Sequence, residues 1–556
     1  QSKDRKMSRG EILKKVLITV AILVIIAGIV LVISNYIKNK EKNITNLVIN
    51  NNNITSKLKK SIIIEDDVIY LSKQDIQNFF DKYIYEDKEN NQIITTSDKK
   101  TATIQYDQKI IEINGSKKQI TATIKKVDDT IYLPISEMHD VYDIEINYIK
   151  DSNVITMDSL DREQKKAYTS KNVSIKAKSS NFSKTVDKVK KGNWLFYIST
   201  DEKGWAKVRT TKGKVGYVKE NKLTNFVTVR DSMEEEKQIS GKVNLVWDYF
   251  SEYAKAPDRT GTKIDGINVV SPSFFYIDKN GNFKENVSQN GQEYIKWAKS
   301  NGYKVWPMVS NSNAGLEMTS KIMNSYESRK KLIEAIVNVC VKYDLDGINI
   351  DFENMKKEDV DLYSRFIIEL TPRIKDIGLT VSVDVTAPDG ADNWSMCFDR
   401  NVIGNVADYI IFMAYDQYGA GSNKAGTTAG YNWVETSLKK FVTTEEIDSN
   451  KVILAIPLYT RLWSEKDGKV LSKVIDMKDI DSTIPENVER KWNDTLKQYY
   501  VEYNDSLYTR KMWIEDSKSL KEKLSLIKQY NLGGVASWEK DKETEGVWEL
   551  IKDAIQ

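Results

Sequence analysis

Residues 346–353 read Asp-Gly-Ile-Asn-Ile-Asp-Phe-Glu and combine the pattern of a buried β-strand with closely spaced acids. Side chains alternate faces along a strand, so Asn349, Asp351 and Glu353 share one face and the apolar residues between them share the other. Ionised carboxylates are seldom buried without a partner or a task. Two of them near the C-terminal end of a buried strand are arranged as expected at the mouth of a parallel barrel. A strand of an antiparallel sheet with one wetted face is the alternative.

The composition favours carboxylate chemistry over other kinds. The 83 basic and 80 acidic residues give a net charge of +3. The basic residues are interspersed with acids, which is not the pattern of a nucleic-acid-binding surface. His139 is the single histidine, and the two cysteines are Cys340 and Cys397. These counts disfavour serine–histidine triads, histidine-rich metal sites and a disulfide framework, so we expect neither a metal nor a cofactor.

After a polar linker at residues 233–238, apolar strand-like runs alternate with helical stretches. The eight runs are residues 243–247, 267–270, 304–309, 346–353, 379–383, 409–415, 452–456 and 533–538. Eight strands with intervening helices in roughly 320 residues predict an α/β fold, a (β/α)8 TIM barrel with its active site at the strands' C-terminal ends. We expect this domain to cover residues 235–556. It should contain a small inserted α+β subdomain at about residues 464–512, a stretch too long for an ordinary loop.

Three motifs in this region resemble those of the family 18 glycoside hydrolases. Residues 346–353 resemble the family's D-G-x-D-x-D-x-E signature, and residues 413–416, Met-Ala-Tyr-Asp, resemble its M-x-Y-D at the sixth strand. Trp538 closes the eighth strand as the family's floor tryptophan does. The resemblance extends over roughly residues 238–556 and implies a hydrolase of N-acetylglucosamine-containing glycans. Asn349 departs from the signature, which has an aspartate at that position.

The resemblance also implies roles for the matching residues. Glu353 falls on the family's proton donor, and Asp351 falls on the acid beside it, which would orient the substrate's acetamide N–H. Tyr415 would donate a hydrogen bond to the acetamide oxygen. In this family the nucleophile is the substrate's own 2-acetamido group, and retention of configuration follows. Further residues expected to bind substrate are Asn349, Met413, Asp416 (through sugar hydroxyls or the site's tyrosine) and Trp538 (the apolar floor).

The signature's spacing and residues 456–459 look closest to the spore-cortex and cell-wall branch of the family, which cleaves peptidoglycan at N-acetylglucosamine. Peptidoglycan is therefore the expected partner of the site, with sporulation or germination as a possible setting. Two alternatives stay open. The barrel could be an inactive glycan-binding or scaffold module, which Asn349 keeps in play, or a chitinase. The sequence indicates no protein partner.

Two small domains are expected upstream of the barrel. Residues 61–160 contain short strands and a repeated Asp-Asp-x-Ile-Tyr-Leu pattern, at 66–71 and 128–133. They resemble the α+β repeat domain named for the N-terminus of copper amine oxidases, without implying copper. Residues 165–228 alternate with strand period and resemble the all-β bacterial SH3-type domains. Trp205 and Tyr217 in that domain are either a ligand platform or part of its core.

The N-terminal part predicts a membrane anchor. We expect a basic cytoplasmic segment at residues 1–15, a transmembrane helix at 16–34 and a polar stalk at 35–60. The apolar run lacks a small-x-small cleavage site, which favours an uncleaved anchor over a cleaved signal. The expected localisation is the cell membrane, with a single pass, a cytoplasmic N-terminus and an extracytoplasmic catalytic domain.

Overall fold

A computed structural model describes residues 18–20, 22, 24–30, 44–233 and 238–556. The described residues fall into two compact units. One lies within residues 1–94, 103–112 and 117–235, and the other within 95–102, 113–116 and 236–556.

The structure does not support the predicted membrane anchor. Within residues 16–34, the structure describes 18–20, 22 and 24–30, which are helical. The rest of that span lies outside the described residues, as do 1–15 and 35–43. In the part of the chain that is described, no helix is long and apolar enough to cross a membrane. A spanning helix needs about 20 apolar residues, and the apolar run stands at the lower limit of that range. The predicted single-pass membrane localisation is contradicted with it.

The predicted polar stalk is also wrong from residue 44 onward. Strand Asn46–Ile49 pairs in parallel with Val154–Ser159, and the side chains of Leu47 and Val48 are buried. The many asparagines around this short apolar run indicated a polar stalk, although the run is a strand of the repeat domain. That domain therefore begins near residue 46, about 15 residues earlier than predicted.

The first described part of the chain, residues 46–159, consists of short strands joined by tight turns. Asp66, Asp67, Asp128 and Asp129 all have positive φ angles, which suits the two-residue turns of hairpins. The strands are Asn46–Ile49, Asn52–Asn53, Ile63–Glu65, Val68–Ser72, Tyr85–Asp87, Gln92–Thr96, Thr101–Gln105, Ile110–Ile113, Ser116–Gln119, Lys125–Val127, Thr130–Leu133, Ile144–Ile149 and Val154–Ser159. The helices are Lys73–Phe79 and His139–Tyr142, with single turns at Thr55–Lys57, Ile135–Glu137 and Lys150–Ser152.

The next seven strands form one antiparallel sheet. In spatial order they are Thr185–Val189, Val173–Lys176, Val215–Lys219, Trp205–Arg209, Trp194–Thr200, Gln164–Thr169 and Leu223–Arg230. Trp205 is buried, and the Lys219 ammonium lies 4.7 Å from its ring centre. Trp205 is therefore a buried side chain, on the strand face opposite Ala206 and Val208 of the domain's apolar cluster, while Tyr217 is half-buried. The SH3-type assignment stays a prediction from the sequence.

The second unit contains a closed barrel of eight parallel strands. They are β1 (Val243–Asp248), β2 (Val269–Pro272), β3 (Lys304–Val305 and Met308–Ser310), β4 (Gly347–Asp351), β5 (Thr380–Val385), β6 (Tyr409–Met413), β7 (Val452–Pro457) and β8 (Gly534–Trp538). Consecutive strands are neighbours, and β8 pairs with β1 to close the barrel. Strand Phe275–Ile277 pairs with the second part of β3 and forms a hairpin with Phe283–Glu285. The predicted TIM-barrel fold is confirmed.

Helices surround the barrel. They are α1 (Ser288–Ser300), α2 (Gly315–Met323), α3 (Tyr326–Lys342), α4 (Val360–Asp376), α5 (Arg400–Val406), α6 (Tyr431–Lys439), α7 (Ser517–Gln529) and α8 (Val547–Ile555), with single turns at Lys357–Asp359, Lys440–Thr444 and Ser449–Lys451. Between β1 and β2, where residues 249–268 are all described, the connection contains no helix. Serine or aspartate caps fix several helix starts, as where Ser325 accepts a hydrogen bond from the Ser328 amide.

A five-stranded antiparallel sheet is inserted between β7 and α7. Its strands are Tyr459–Lys466, Lys469–Asp476, Lys491–Asn493, Gln498–Asn504 and Thr509–Ile514, with a short helix at Ile480–Thr483 preceded by a turn at Met477–Asp479. The sheet starts five residues before the predicted boundary, because its first strand begins at Tyr459, directly after Leu458 and the end of β7. The Trp463 indole donates a hydrogen bond to the Gly426 carbonyl at 2.8 Å, which ties the sheet to the β6–α6 loop.

Strand β4 shows how the barrel positions polar groups. Ile348, Ile350 and Phe352 point outward to the helices, and the Phe352 ring stacks on Phe366 of α4 with ring centres 5.6 Å apart. The alternate residues face the barrel interior, which is filled by side chains such as Trp247. The outward face thus fixes the strand, and the inward face presents its polar groups at the barrel's C-terminal end.

Candidate active site

The inward face of β4 leads into a cleft at the C-terminal end of the barrel. The cleft has a volume of about 130 Å³. Six of the seven residues predicted for the site line it: Asp351, Glu353, Met413, Tyr415, Asp416 and Trp538. The seventh, Asn349, lies beneath the cleft and is fully buried. The prediction that Asn349 binds substrate is therefore corrected, because its buried side chain binds other side chains of the protein.

Asn349 connects four barrel strands through its side-chain amide. Its Oδ1 accepts hydrogen bonds from the Trp247 indole at 2.9 Å and from the Ser271 hydroxyl at 3.4 Å. Its Nδ2 donates to the Ser382 hydroxyl at 3.0 Å and to Asp384 Oδ1 at 2.7 Å. An indole N–H can only donate, so it fixes which end of the amide is oxygen. All hydrogen-bonding positions of Asn349 are thus used by protein groups.

Asp351 and Glu353 form an interacting pair of acids. Burial raises the pKa of Asp351 to about 6, and a hydrogen bond with Glu353 partly opposes that rise. Burial also raises the pKa of Glu353 well above its usual value, and the charges of Asp351 and Asp384 raise it further. One member of the pair therefore holds a proton at a pH where an ordinary carboxyl would have lost it. This is the condition for a general acid that works near neutrality.

The buried oxygen Oδ1 of Asp351 has no hydrogen-bond partner among the described residues. A buried acceptor without a partner costs free energy, about 1–3 kcal/mol. A protein can tolerate this cost at a functional site, where a bound ligand supplies the missing donor. The Asp351 oxygen is therefore a ready acceptor for an N–H or O–H of a bound molecule.

Asp384 is a third acid of the cleft that the sequence analysis missed. It lies on β5, is buried, and lines the cleft beside Asp351. Burial and the charge of Asp351 raise its pKa well above the usual value, while the hydrogen bond from Asn349 acts in the opposite direction. The sequence contained a signal for it, since Thr380, Ser382 and Asp384 alternate with valines just as the polar residues of β4 alternate with apolar ones.

The backbone of Glu353 is held by Asn311, a residue just after β3 that the sequence analysis also missed. The Glu353 amide donates to Asn311 Oδ1 at 2.8 Å, and Asn311 Nδ2 donates to the Glu353 carbonyl at 2.9 Å. The same Nδ2 contacts the Thr319 hydroxyl at 3.1 Å. Glu353 stands just beyond the last paired residue of β4, so this side chain replaces the missing strand neighbour.

The end of β6 brings Met413, Tyr415 and Asp416 to the cleft. Burial raises the pKa of Tyr415 well above its usual value, and the nearby tyrosine Tyr459 contributes. Tyr415 is therefore a neutral hydrogen-bond donor over the ordinary pH range. Asp416 accepts hydrogen bonds from the Tyr459 hydroxyl at 2.8 Å and from Arg461 at 3.3 Å. Asp416 thus binds a tyrosine of the inserted sheet rather than Tyr415.

Aromatic rings form the rest of the wall. Trp538 contacts Trp247 edge-on, with ring centres 5.7 Å apart, and lies 5.9 Å from the Tyr249 ring, which is half-exposed. Trp394, from the loop after β5, lines the cleft at its rim. Flat apolar rings of this kind are suited to the apolar face of a sugar ring. Tyr249 and Trp394 were not predicted, because isolated aromatic residues in loops have no distinguishing sequence pattern.

Two further observations bear on the chemistry. In the described ranges, no group of three or more histidines, cysteines, aspartates or glutamates has a geometry that could hold a metal ion. A larger depression of about 700 Å³ lies among the hairpin turns of the inserted sheet, lined by residues such as Lys466, Asp467 and Asp505. It has no buried acid pair, so we place the chemistry in the smaller cleft.

Comparison with known proteins gives two family matches. The family described as glycosyl hydrolases family 18 matches residues 245–543, which is more than half of the chain. The copper amine oxidase N-terminal domain matches residues 48–157. The second match agrees with the predicted repeat domain and with its start ahead of residue 61.

Individual relatives agree with the first match. The uncharacterized glycosylase YvbX of Bacillus subtilis is 29% identical over 298 residues, covering 51% of this chain and 84% of that protein. The cortical fragment-lytic enzyme of the same organism is 24% identical and covers 43% of this chain and 56% of that protein. A chitinase structure from Chromobacterium violaceum shares the fold, with a TM-score of 0.51, 22% identity, and coverage of 56% of this chain and 98% of that one.

Proposed function

Because this chain belongs to family 18 of the glycosyl hydrolases, we propose that it cleaves a glycan containing N-acetylglucosamine, with peptidoglycan as the substrate. The observation that carries this proposal is the orphaned acceptor Oδ1 of Asp351 beside the proton-holding Glu353. An acetamide N–H supplies the donor that Asp351 lacks. A glycan that carries only hydroxyl groups would offer neither an N–H donor for Asp351 nor the acetamide oxygen that acts as the nucleophile.

Glu353 acts as the general acid. With its pKa raised by burial and by the neighbouring charges, it keeps its proton until the glycosidic oxygen departs. Transfer of this proton to the leaving oxygen breaks the bond to the anomeric carbon, and Glu353 becomes a carboxylate. The two hydrogen bonds between the Asn311 side chain and the Glu353 backbone hold the position of Glu353 in the cleft during this step.

The acetamide of the cleaved sugar acts as the nucleophile. Its carbonyl oxygen attacks the anomeric carbon from the face opposite the leaving group and forms a cyclic oxazolinium ion. Asp351 accepts a hydrogen bond from the acetamide N–H and offsets the positive charge that develops on the oxazolinium ring. Tyr415 donates its hydroxyl hydrogen to the acetamide oxygen and orients it. Trp538, with Met413 beside it, provides the surface beneath the sugar ring.

Water completes the reaction. The Glu353 carboxylate takes a proton from a water molecule, and the resulting hydroxide attacks the anomeric carbon from the side the leaving group vacated. The oxazolinium ring opens, the acetamide is restored, and Glu353 is protonated again. Two inversions at one carbon give overall retention of configuration.

Peptidoglycan is favoured over chitin by the likeness to a cortical fragment-lytic enzyme. The full chain is incubated in parallel with purified peptidoglycan and with chitin oligosaccharides, and new reducing ends are labelled by borohydride and identified by mass. We expect reduced N-acetylglucosamine ends from peptidoglycan. Reduced N-acetylmuramic acid ends would contradict the proposed cleavage position. Products from chitin alone would make the protein a chitinase, and no new ends from either glycan would contradict the proposed function.

A further inference from the structure

Asn349 and Asp384 form a complementary pair on adjacent strands. In the register of β4 and β5, Asn349 lies opposite Ser382 and Ile350 opposite Val383, so the next step places Asp384 beside Asp351. The Trp247 indole fixes the Asn349 oxygen on one side, so the amide nitrogen must face Asp384 Oδ1, 2.7 Å away. An aspartate at position 349 would instead set two carboxylates against each other at that distance.

The family signature has an acid at position 349 and this chain does not. We propose that Asp384, supplied by β5, is the third acid of this site and takes the place of the acid missing at position 349. In this arrangement Asp384 is a positioning residue that acts through its charge on Asp351 and Glu353, and Asn349 holds it in place. The inference rests on the proposed function, since Glu353 needs its proton only as a general acid.

The titratable groups of the cleft around Asp384 and Glu353 are acids, tyrosines and one cysteine. They are Asp351 and Glu353 beyond β4, Tyr415 and Asp416 beyond β6, Tyr363 on α4, Tyr459 in the inserted sheet and Cys397 in the loop after β5. Of the nearby cations, Arg461 pairs with Asp416, and Arg400 donates to the carbonyls of Thr386 and Ala387. Neither of them forms a salt bridge with Asp384, so the Asp384 carboxylate, once ionised, acts on Glu353 with its full charge.

The charge of Asp384 raises the pKa of Glu353, after the effects of burial and of Asp351. The interaction with Asp351 is mutual, since the charge of Asp351 raises the pKa of Asp384. The limb of the pH–rate profile that tests the inference is therefore the alkaline one, where Glu353 loses its proton.

The test is Asp384→Asn in the full chain. The amide keeps the volume and can still accept the hydrogen bond from Asn349. We expect the alkaline limb of kcat/KM to move to lower pH, with a loss of about tenfold at a pH where the wild type is still active, the size expected when one like charge is removed from beside an acid. An unmoved alkaline limb would overturn the inference.

The double variant Asn349→Asp with Asp384→Asn returns the acid to the position it has in the family signature. We expect it to restore the alkaline limb toward the wild-type position, which a merely structural defect could not do. Asp408→Asn is the matched control. Asp408 also has a pKa raised by burial, but it accepts the Val381 amide at the opposite end of the barrel. This control should leave both limbs unchanged.

A second readout does not require activity. Infrared spectroscopy follows the protonated-carboxyl band of Glu353, identified by its absence from Glu353→Gln. In Asp384→Asn this band should disappear at lower pH than in the wild type, and an identical titration would overturn the inference. If the wild type is inactive on every glycan tested while the band still shifts, the proposed function falls and the role of Asp384 stands. If the wild type is active and nothing shifts, only the inference falls.

Discussion

The side chain of Asn311 clamps both backbone polar groups of Glu353, accepting from its amide at 2.8 Å and donating to its carbonyl at 2.9 Å. Glu353 lies two residues past the end of the β4 ladder, where no neighbouring strand holds it. The clamp therefore fixes the height and direction from which the Glu353 carboxyl reaches into the cleft.

We predict that Asn311→Ala lowers kcat by up to ~10²-fold while changing KM little, since small displacements of a catalytic group are costly. Steady-state kinetics on the preferred glycan measures both constants. Asn268→Ala is a matched control, because the Asn268 side chain also bonds one backbone amide and one backbone carbonyl, of two different residues, at the other end of the barrel. It accepts from the Asn244 amide at 2.8 Å and donates to the Lys242 carbonyl at 2.9 Å.

Both variants should lose thermal stability, because each leaves backbone groups unpaired. Only Asn311→Ala should lose kcat. Equal losses of kcat in the two variants would mean that Asn311 acts through general stability and not through the position of Glu353.

Sequence reasoning predicted those parts of the site that lie on one strand or in one short motif. Strand alternation placed Asp351 and Glu353 on the inward face, and residues 413–416 located the end of β6. The eight apolar runs located all eight barrel strands, because fully buried parallel strands have near-continuous apolar sequences.

What sequence reasoning missed depends on contacts between distant segments. Asp384 is 33 residues from Asp351, and only the pairing of β4 with β5 brings the two together. Asn311 follows β3 without any local pattern. At the N-terminus, hydropathy alone favoured a spanning helix that the described structure does not contain. The buried Leu47 was hidden among asparagines that composition assigns to a stalk.

The buried acids should make stability depend on pH. The folded-state pKa of Glu353 lies above that of an exposed glutamate, so the folded protein keeps a proton that the unfolded chain has lost. Stability conferred by this group is complete below the unfolded pKa and falls as pH rises through the folded pKa. Glutamine has no proton to lose. We therefore predict that Glu353→Gln raises the midpoint of thermal unfolding at pH 7 and changes it little at pH 4.

Glu358→Gln, at an exposed position, is the control for that measurement and should behave alike at both pH values. Thermal unfolding monitored by circular dichroism gives the midpoints. A stabilisation by Glu353→Gln that is the same at pH 4 and pH 7 would show that proton binding is not its cause.

The acetamide mechanism predicts a strict dependence on the substrate's acetyl group. Glycan from which the acetyl groups have been removed should resist the wild-type enzyme, since a free amine offers no carbonyl oxygen to attack the anomeric carbon. Chemical re-acetylation of the same material should restore cleavage, which controls for damage during deacetylation. Release of reducing ends at equal rates from acetylated and deacetylated glycan would rule out the substrate as its own nucleophile.

The central claim is that Glu353 supplies the proton for bond cleavage, and Glu353→Gln tests it most directly. Glutamine keeps the size and hydrogen-bonding reach of the side chain but cannot donate a catalytic proton. The measurement pairs the rate of reducing-end release with glycan binding by sedimentation, for the wild type, Glu353→Gln and the exposed control Glu358→Gln. We expect Glu353→Gln to lose ~10²- to 10⁴-fold or more in rate and to bind glycan as well as the wild type, while the control keeps both. Near-normal turnover by Glu353→Gln would contradict the account.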